Sequence, residues 1–356
     1  MQARARQVNA LPAAAEIAVH GMRAVDADGV AALMRDVYGN TYPKKYVYDP
    51  ALLREKNTAG EITTVVATTP EGAVIGYAAL SAYYGYPDIG LIGSLAVSPA
   101  CRGRGLAGLL TRYLTGNRRG WRFHAITAGT FTAHPYSQRA MLREGFSPSA
   151  ILLGSQPREL SFHKIAEELS QRESIAFYTR VQAPEEYGFQ YLPGNYRRII
   201  RDICKNLGIR IGADGTGKPG PSLTIAEHTL NPDTGAGMIW MRRIGPDHRP
   251  ALAGAVRELR IRGARILRLH LDLSDPGATD AAAAAEEAGF VFAGILPGER
   301  GLVLLLQHLL DTEIDLRKIN TADNPCGGRI LAYIGTQIGH GSNGGRKTPQ
   351  THTAEG

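Results

Sequence analysis

The stretch Ser94-Leu95-Ala96-Val97-Ser98-Pro99-Ala100-Cys101-Arg102-Gly103-Arg104-Gly105-Leu106-Ala107 constrains the fold of this 356-residue chain more than any other. Its apolar, partly branched start reads as a strand, Ser98-Pro99 ends that strand, and Leu109, Leu110, Tyr113 and Leu114 continue a helix. Between the two stand Gly103 and Gly105, which let the backbone turn tightly and approach a ligand with no Cβ in the way. Such a turn leaves free backbone N–H groups at the positive end of a helix. An anionic diphosphate is stabilised there by the donors and the dipole together. Arg102 and Arg104 add positive charge.

No Gly-Lys-Ser/Thr closes the loop, and dinucleotide spacing appears only if Gly108 is included. The pattern Val-x-Pro-x-x-Arg-Gly-x-Gly-x-Ala instead resembles the pyrophosphate-binding motif of the GNAT superfamily of N-acetyltransferases. The resemblance implies that Arg102, Gly103, Arg104, Gly105, Leu106 and Ala107 cradle the diphosphate of acetyl-CoA (or another acyl-CoA). It also implies that Leu95, Ala96 and Val97 pair with the pantetheine arm and supply the N–H that holds the oxyanion, with Ser137 a further cofactor contact. The flanking order fits. Residues 24–38 read as an amphipathic helix, 63–68 and 73–80 as a hairpin, 123–128 as a strand, and 137–143 as a helix ended by Glu144-Gly145-Phe146. The resemblance covers residues 17–152.

The chain is longer than one such unit needs, so two domains are expected. After residue 153 a similar order recurs, with a helix over 196–207, strands over 222–229 and 237–243, a helix over 251–262 and a strand over 266–271. A helix over 278–288 then ends in Gly289-Phe290, before apolar runs 291–296 and 302–306. The expected class is α/β (α+β), two GNAT-like domains, each a mixed, mostly antiparallel central sheet flanked by helices. The expected division is a flexible N-terminus (1–16), the catalytic acetyl-CoA-binding unit (17–153), a helical connector (154–172), a degenerate second unit (173–338) and a disordered tail (339–356). The second unit is read as degenerate because its loop is Ile244-Gly245-Pro246-Asp247-His248-Arg249-Pro250, with two prolines and an acid where diphosphate would sit. Stabilising the first unit, walling the acceptor pocket or forming a homodimer are its expected roles.

Three cysteines lie far apart without metal-ligand spacing, and no apolar run reaches membrane-spanning length, so a cytoplasmic protein without metal or membrane partner is expected. A net charge of +7 is modest. Arg112, Arg118, Arg119 and Arg122 cluster without aromatic interleaving or a nucleic-acid motif, and nucleic acid is not expected as a partner.

The proton-handling groups depart from the family pattern. Counting back from Gly145-Phe146 puts Met141 at the family's usual tyrosine and His134 at its usual asparagine. Either Tyr136 or Ser137 protonates the leaving thiolate, or the thiolate departs unassisted; Tyr136 reads equally well as a core aromatic. His134 and, through water, Asp88 are the candidate bases. Tyr83, Tyr84 and Tyr86, with Tyr38 and its neighbours Tyr42, Tyr46 and Tyr48, suggest a hydroxyl-bearing pocket for a small polar amine, and Lys44-Lys45 a contact for a carboxylate. The implied function is acetyl-CoA-dependent N-acylation of a small-molecule amine, such as an amino acid derivative or natural-product intermediate. Acylation of a protein N-terminus or lysine, use of a longer acyl-CoA, and a non-catalytic acyl-CoA sensor or scaffold are the alternatives.

Overall fold

The computed structural model describes residues 16–116, 123–162, 168–182 and 185–341; Arg118, Arg119, Arg122, nearly all of the N-terminal segment and most of the tail fall outside them. Strands β1 (Ala18–Gly21), β2 (Thr63–Thr68), β3 (Val74–Tyr83) and β4 (Tyr86–Val97) pair antiparallel in sequence order. Helix α1 (Ala27–Tyr38) lies before β2 because Val30, Leu33, Met34 and Val37 share one face and are buried. Helix α2 (Pro50–Thr58) starts where the Asp49 carboxylate accepts the N–H groups of Ala51 and Leu52. Helix α3 (Leu106–Gly116) then carries the chain across to β5 (Ala125–Phe131), which lies parallel to β4.

Helix α4 (Tyr136–Arg143) and β6 (Ser147–Gln156) follow, and β7 (Glu173–Val181) inserts between β5 and β6, antiparallel to both. This corrects the expected boundary. Residues 173–181, placed in the second unit by the expected division, form a strand that closes the sheet of the first, held by a hydroxyl ladder in which Thr179 bonds Thr127 (3.0 Å) and Ser149 (2.7 Å). Strand β6 runs to Gln156, into the expected helical connector (154–172), of which residues 163–167 lie outside the described residues.

Beyond residue 182, β8 (Glu185–Tyr187) and β9 (Ile209–Ile211) form a small parallel pair around α5 (Arg197–Leu207). The main sheet resumes with β10 (Ile225–Asn231), β11 (Ala236–Arg243), helix α6 (His248–Ile261), β12 (Ile266–Asp272), helix α7 (Ala278–Glu287), β13 (Val291–Pro297) and β14 (Leu302–His308). Helix α6 begins ahead of the expected 251 because Pro250 sits in its first turn, where a missing N–H is tolerated. Helix α8 (Pro325–Gly341) reaches into the segment expected to be unstructured. Among the described residues no helix is long and apolar enough to cross a membrane.

The strand order β10-β11-β12-β14-β13 reproduces β3-β4-β5-β7-β6 in sequence and in sense, with α6 and α7 in the places of α3 and α4. The two runs do not form separate sheets. Strand β13 pairs with β6, so a single twelve-stranded, mostly antiparallel sheet crosses both halves. The seam is stitched by buried Gln307, which accepts the Leu153 N–H (2.8 Å) and donates to the Ile151 and Phe292 carbonyls. A single apolar cluster runs from Val65 on β2 to Ile239 on β11.

The seam sits on Gly294, whose φ of +147° few other residues adopt and where a Cβ would stand 2.3 Å from Ala150 Cα and from the Ser149 carbonyl oxygen. Denaturant unfolding of the wild-type protein should show one transition for both halves. Gly294→Val should cost about 2–4 kcal/mol in the same experiment. Two separate transitions, only one of them moved, would show that the halves fold independently.

Candidate functional site

Strands β4 and β5 pair only from Ile89–Ala125 to Ile92–Ala128, although β4 runs on to Val97 and β5 to Phe131. The parting coincides with a bulge in β4. Opposite β3 the register slips between the Ala79–Gly93 and Tyr77–Ala96 pairs, and Ser94 takes φ +55°. The Ser94 N–H donates to Tyr42 Oη at 2.9 Å, and Tyr38 Oη donates to the Leu95 carbonyl at 3.1 Å. Helix α1 and the loop after it therefore hold the bulge.

The parted strands open into a cavity of about 1000 Å³. Its wall includes β4 residues 95–97, Arg102, Gly103 and Gly105, the first α3 residues 106 and 107, and Ser137; Arg104 does not line it. Gly103 and Gly105 have φ +79° and +76°, and nothing lies within 4 Å of a Cβ built on either. Glycine serves the backbone conformation there, and leaves the turn open to a ligand. Beside the turn, Glu144 pairs with Arg112.

His134 lines the cavity, with Nδ1 buried and unpartnered and the ring edge-on to Phe162 at 5.3 Å. Burial first, and then the charge of Arg102, lower its pKa to about 4. Its loop is fixed by buried Glu173, whose carboxylate accepts the N–H groups of Thr132 (2.5 Å) and Ala133 (2.9 Å). Tyr136, the first residue of α4, lines the cavity with 62% of its surface exposed, whereas Met141 is fully buried in the wall. A thioether donates no proton.

The structure separates the other sequence candidates. Tyr38 and Tyr84 line the cavity; Tyr83, Tyr86 and Asp88 do not. Tyr83 is buried with Oη 3.1 Å from His270 Nε2, Tyr86 lies under the Arg242 guanidinium, and the Asp88 carboxylate accepts the Glu299 N–H at 2.6 Å. All three join the β3–β4 hairpin to the second half, as do the bonds of Trp240 and Arg242 to the Tyr84 and Gly85 carbonyls. Those contacts bring β11 and β12 over the first half, so Thr234, Met238 and Arg268 also wall the cavity. Sequence reasoning missed them. The available signal was Arg268 and His270 at alternate positions of the apolar run 266–271, which marks one polar face of a strand.

Eight buried side-chain polar atoms lack a hydrogen-bond partner among the described residues, and five of them, on Ser94, His134, Ser137, Gln156 and Arg268, belong to residues of this cavity. Each such atom costs about 1–3 kcal/mol when left unpaired, so the cavity concentrates hydrogen-bonding capacity open to water or a polar ligand.

The corresponding place in the second half is closed. A Cβ on Gly245 would stand 2.0 Å from the Ser222 carbonyl oxygen, the Thr224 N–H donates to Asp247, and the Gly245 N–H donates to Thr224 Oγ1. Strands β11 and β12 stay paired from Ala236–Ile266 to Met241–Leu271. Chain therefore occupies the turn, and the strands do not part.

Residues 28–146 match the acetyltransferase (GNAT) family, and the chain carries a domain of that family there. No curated protein matches the chain. Among solved structures it is similar to an N-acetyltransferase from Staphylococcus aureus Mu50, at 15% identity over 46% of this chain and 96% of that one (TM-score 0.38). A phosphinothricin acetyltransferase from Sinorhizobium meliloti in complex with acetyl-CoA is 24% identical over 47% and 88% (0.37). A spermidine N-acetyltransferase mutant from Vibrio cholerae is 14% identical over 47% and 95% (0.37).

Because burial holds the His134 pKa near 4, below the unfolded value of about 6.5, the unfolded chain binds the extra proton first. Its contribution to stability is complete above pH 6.5 and falls away as pH drops toward 4. Histidine NMR should show the His134 ring neutral at pH 5.5 in the ligand-free protein. A midpoint between 6 and 7 would place the ring in water.

Proposed function

We propose that the GNAT-family domain acts as an acyl-CoA-dependent N-acyltransferase on a small amine that enters the cavity between the two halves. The observation that carries this reading is the continuity of the site, in which the open glycine turn leads into the parted β4–β5 cleft and the cleft into a cavity ringed by unpartnered polar atoms. The repeated strand order supports reading the second half as a GNAT-like unit that has lost its cradle and walls the acceptor end.

The donor suited to this site is acetyl-CoA or another acyl-CoA, whose thioester carbonyl accepts the amine while the C–S bond breaks and the sulfur takes up a proton. The backbone of residues 103–107 and the N-terminus of α3 offer donors for the diphosphate, with Arg102 beside them. The edge of β4 that faces β5, unpaired beyond Ile92, offers residues 95–97 to an extended chain, as a sheet edge receives a strand. An N–H on that edge is the proposed oxyanion donor. His134, neutral above pH 4 with Nδ1 bare, is the proposed acceptor of the amine proton. A diphosphate at Arg102 would offset one of the two causes that depress its basicity. Tyr136 is the proposed donor to sulfur, since Met141 cannot act.

Met141 also favours a second reading, an acyl-CoA-binding protein without turnover. Release of free thiol from acetyl-CoA over a panel of amines separates the two, because a sensor binds and does not release. In an active protein Tyr136→Phe should lower kcat about 10²-fold with acetyl-CoA affinity unchanged. Wild-type kcat in that variant would remove Tyr136 from the mechanism. Calorimetry should find one acetyl-CoA site per chain, weakened at least tenfold by Gly105→Val, whose branched side chain is strained at φ +76° and fills the open turn. Two equal sites per chain would contradict a closed second cradle.

A further inference from the structure

We propose that the acceptor amine carries a carboxylate, and that the second half of the chain binds it through Arg268. The inference rests on the acyltransfer reading above and names the substrate class of the same site. Arg268 lies on β12, is 8% exposed, lines the cavity, and its Nε has no hydrogen-bond partner. Its strand neighbours offer no counter-charge, being Met238 on β11 and, on β14, Gln307, whose amide is committed to the seam.

Among the described residues, the groups whose charge is felt at or from Arg268 include Tyr83, Tyr84, His270 and Arg172. None is a carboxylate. Burial raises the Tyr83 phenol well above its ordinary range and keeps it neutral, burial holds His270 neutral with a pKa of about 3, and Arg172 is a second cation, bonded to the Gly154 and Thr234 carbonyls and within the field of the Glu159 carboxylate. Tyr84, felt at Arg268, is felt also at the Lys44 ammonium, which stands among Tyr42, Tyr46 and Tyr84 as a further cation on the wall. The acid on that wall is Glu144, which pairs with Arg112 beside the glycine turn.

A buried guanidinium without a counter-ion is costly, and the cost falls when an anion arrives with a ligand. The forked donors of arginine fit a carboxylate in two parallel bonds. Lys44 adds a point charge to the same region, which also repels polyamines. The diphosphate end of the cavity has its own cations, so Arg268 is not needed for the acyl donor. An amine bearing a carboxylate, as a free amino acid does, satisfies this end of the cavity.

The test compares wild type with Arg268→Met, which keeps the bulk and removes the charge, and with Arg268→Lys. Thiol release is followed with free amino acids and their methyl esters as acceptors. Wild type should prefer the free acids by at least tenfold in kcat/KM. Arg268→Met should raise KM for the acids about 10²-fold with kcat and acetyl-CoA affinity little changed, and Arg268→Lys should recover part of the loss. Equal use of acids and esters by wild type, or an unchanged ratio in Arg268→Met, overturns the proposal and leaves the acyltransfer reading standing. Absence of thiol release with every acceptor fails the acyltransfer reading instead. Thermal unfolding without ligand then still decides the role of Arg268, because removing an uncompensated buried charge should raise Tm by a few degrees. A Tm lowered by Arg268→Met would make Arg268 a structural residue and overturn the proposal.

Discussion

The parting of β4 from β5 beyond Ile92 and Ala128 is the constraint on which the rest of the site depends. Two parallel strands in a buried sheet normally keep their ladder, because an unpaired buried N–H or C=O is costly. Here the extra residue at Ser94 twists β4, and the tyrosines at 38 and 42 take up one carbonyl and one N–H that the bulge releases. The edge left open beyond the bulge keeps backbone groups unpaired by β5, and the same opening brings the glycine turn and the start of α3 to the cavity wall. In the second half β11 and β12 stay zipped, and residues 222–224 pack on the equivalent turn. A shared topology therefore does not by itself make a cleft.

The sequence made the first part of this legible because the signals are local. Gly103 and Gly105, the proline after the strand and the helical spacing of Leu109, Leu110, Tyr113 and Leu114 fix a strand-turn-helix within one short window, and the structure has it there. The second Gly-Phe terminator, at residues 289–290, likewise marked an order of elements that recurs in space. Pairing partners were not legible. The segment 173–181 reads as a strand wherever it goes, and only the three-strand hydroxyl ladder assigns it to the first half's sheet. The seam at Gly294 depends on contacts 144 residues apart in the chain, for which no local pattern exists.

Among the tyrosines of the hairpin, composition suggested a pocket and side-chain direction decided its membership. Tyr83 ends β3 and Tyr84 begins the turn, and the two part company there: Tyr83 packs beneath His270, and Tyr84 reaches the cavity. Asp88, chosen for chemistry alone, proves to be a backbone acceptor that ties the hairpin to the 298–301 turn. The cavity wall draws instead on residues with no motif at all, because a site between two halves is assembled from positions far apart in sequence.

On the proposed reading, the distribution of charge gives the second half, whose strands β11 and β12 stay paired, a role at the cavity. A unit kept only for packing would place apolar side chains against its partner, as Trp240 does over the hairpin, and would not hold a cation with an unpartnered Nε at the shared surface. The sheet is continuous through β6 and β13, so Arg268 reaches the cavity on the same rigid frame that sets the β4 edge. Binding groups mounted on paired strands hold their relative positions better than groups on loops. Orientation of an amine toward a thioester requires that constancy, since most of the catalytic advantage in such a direct transfer comes from placement. On the proposed reading, the continuous sheet makes the second half a fixed wall for the acceptor, with one half presenting the acyl donor and the other the charge that would orient the amine.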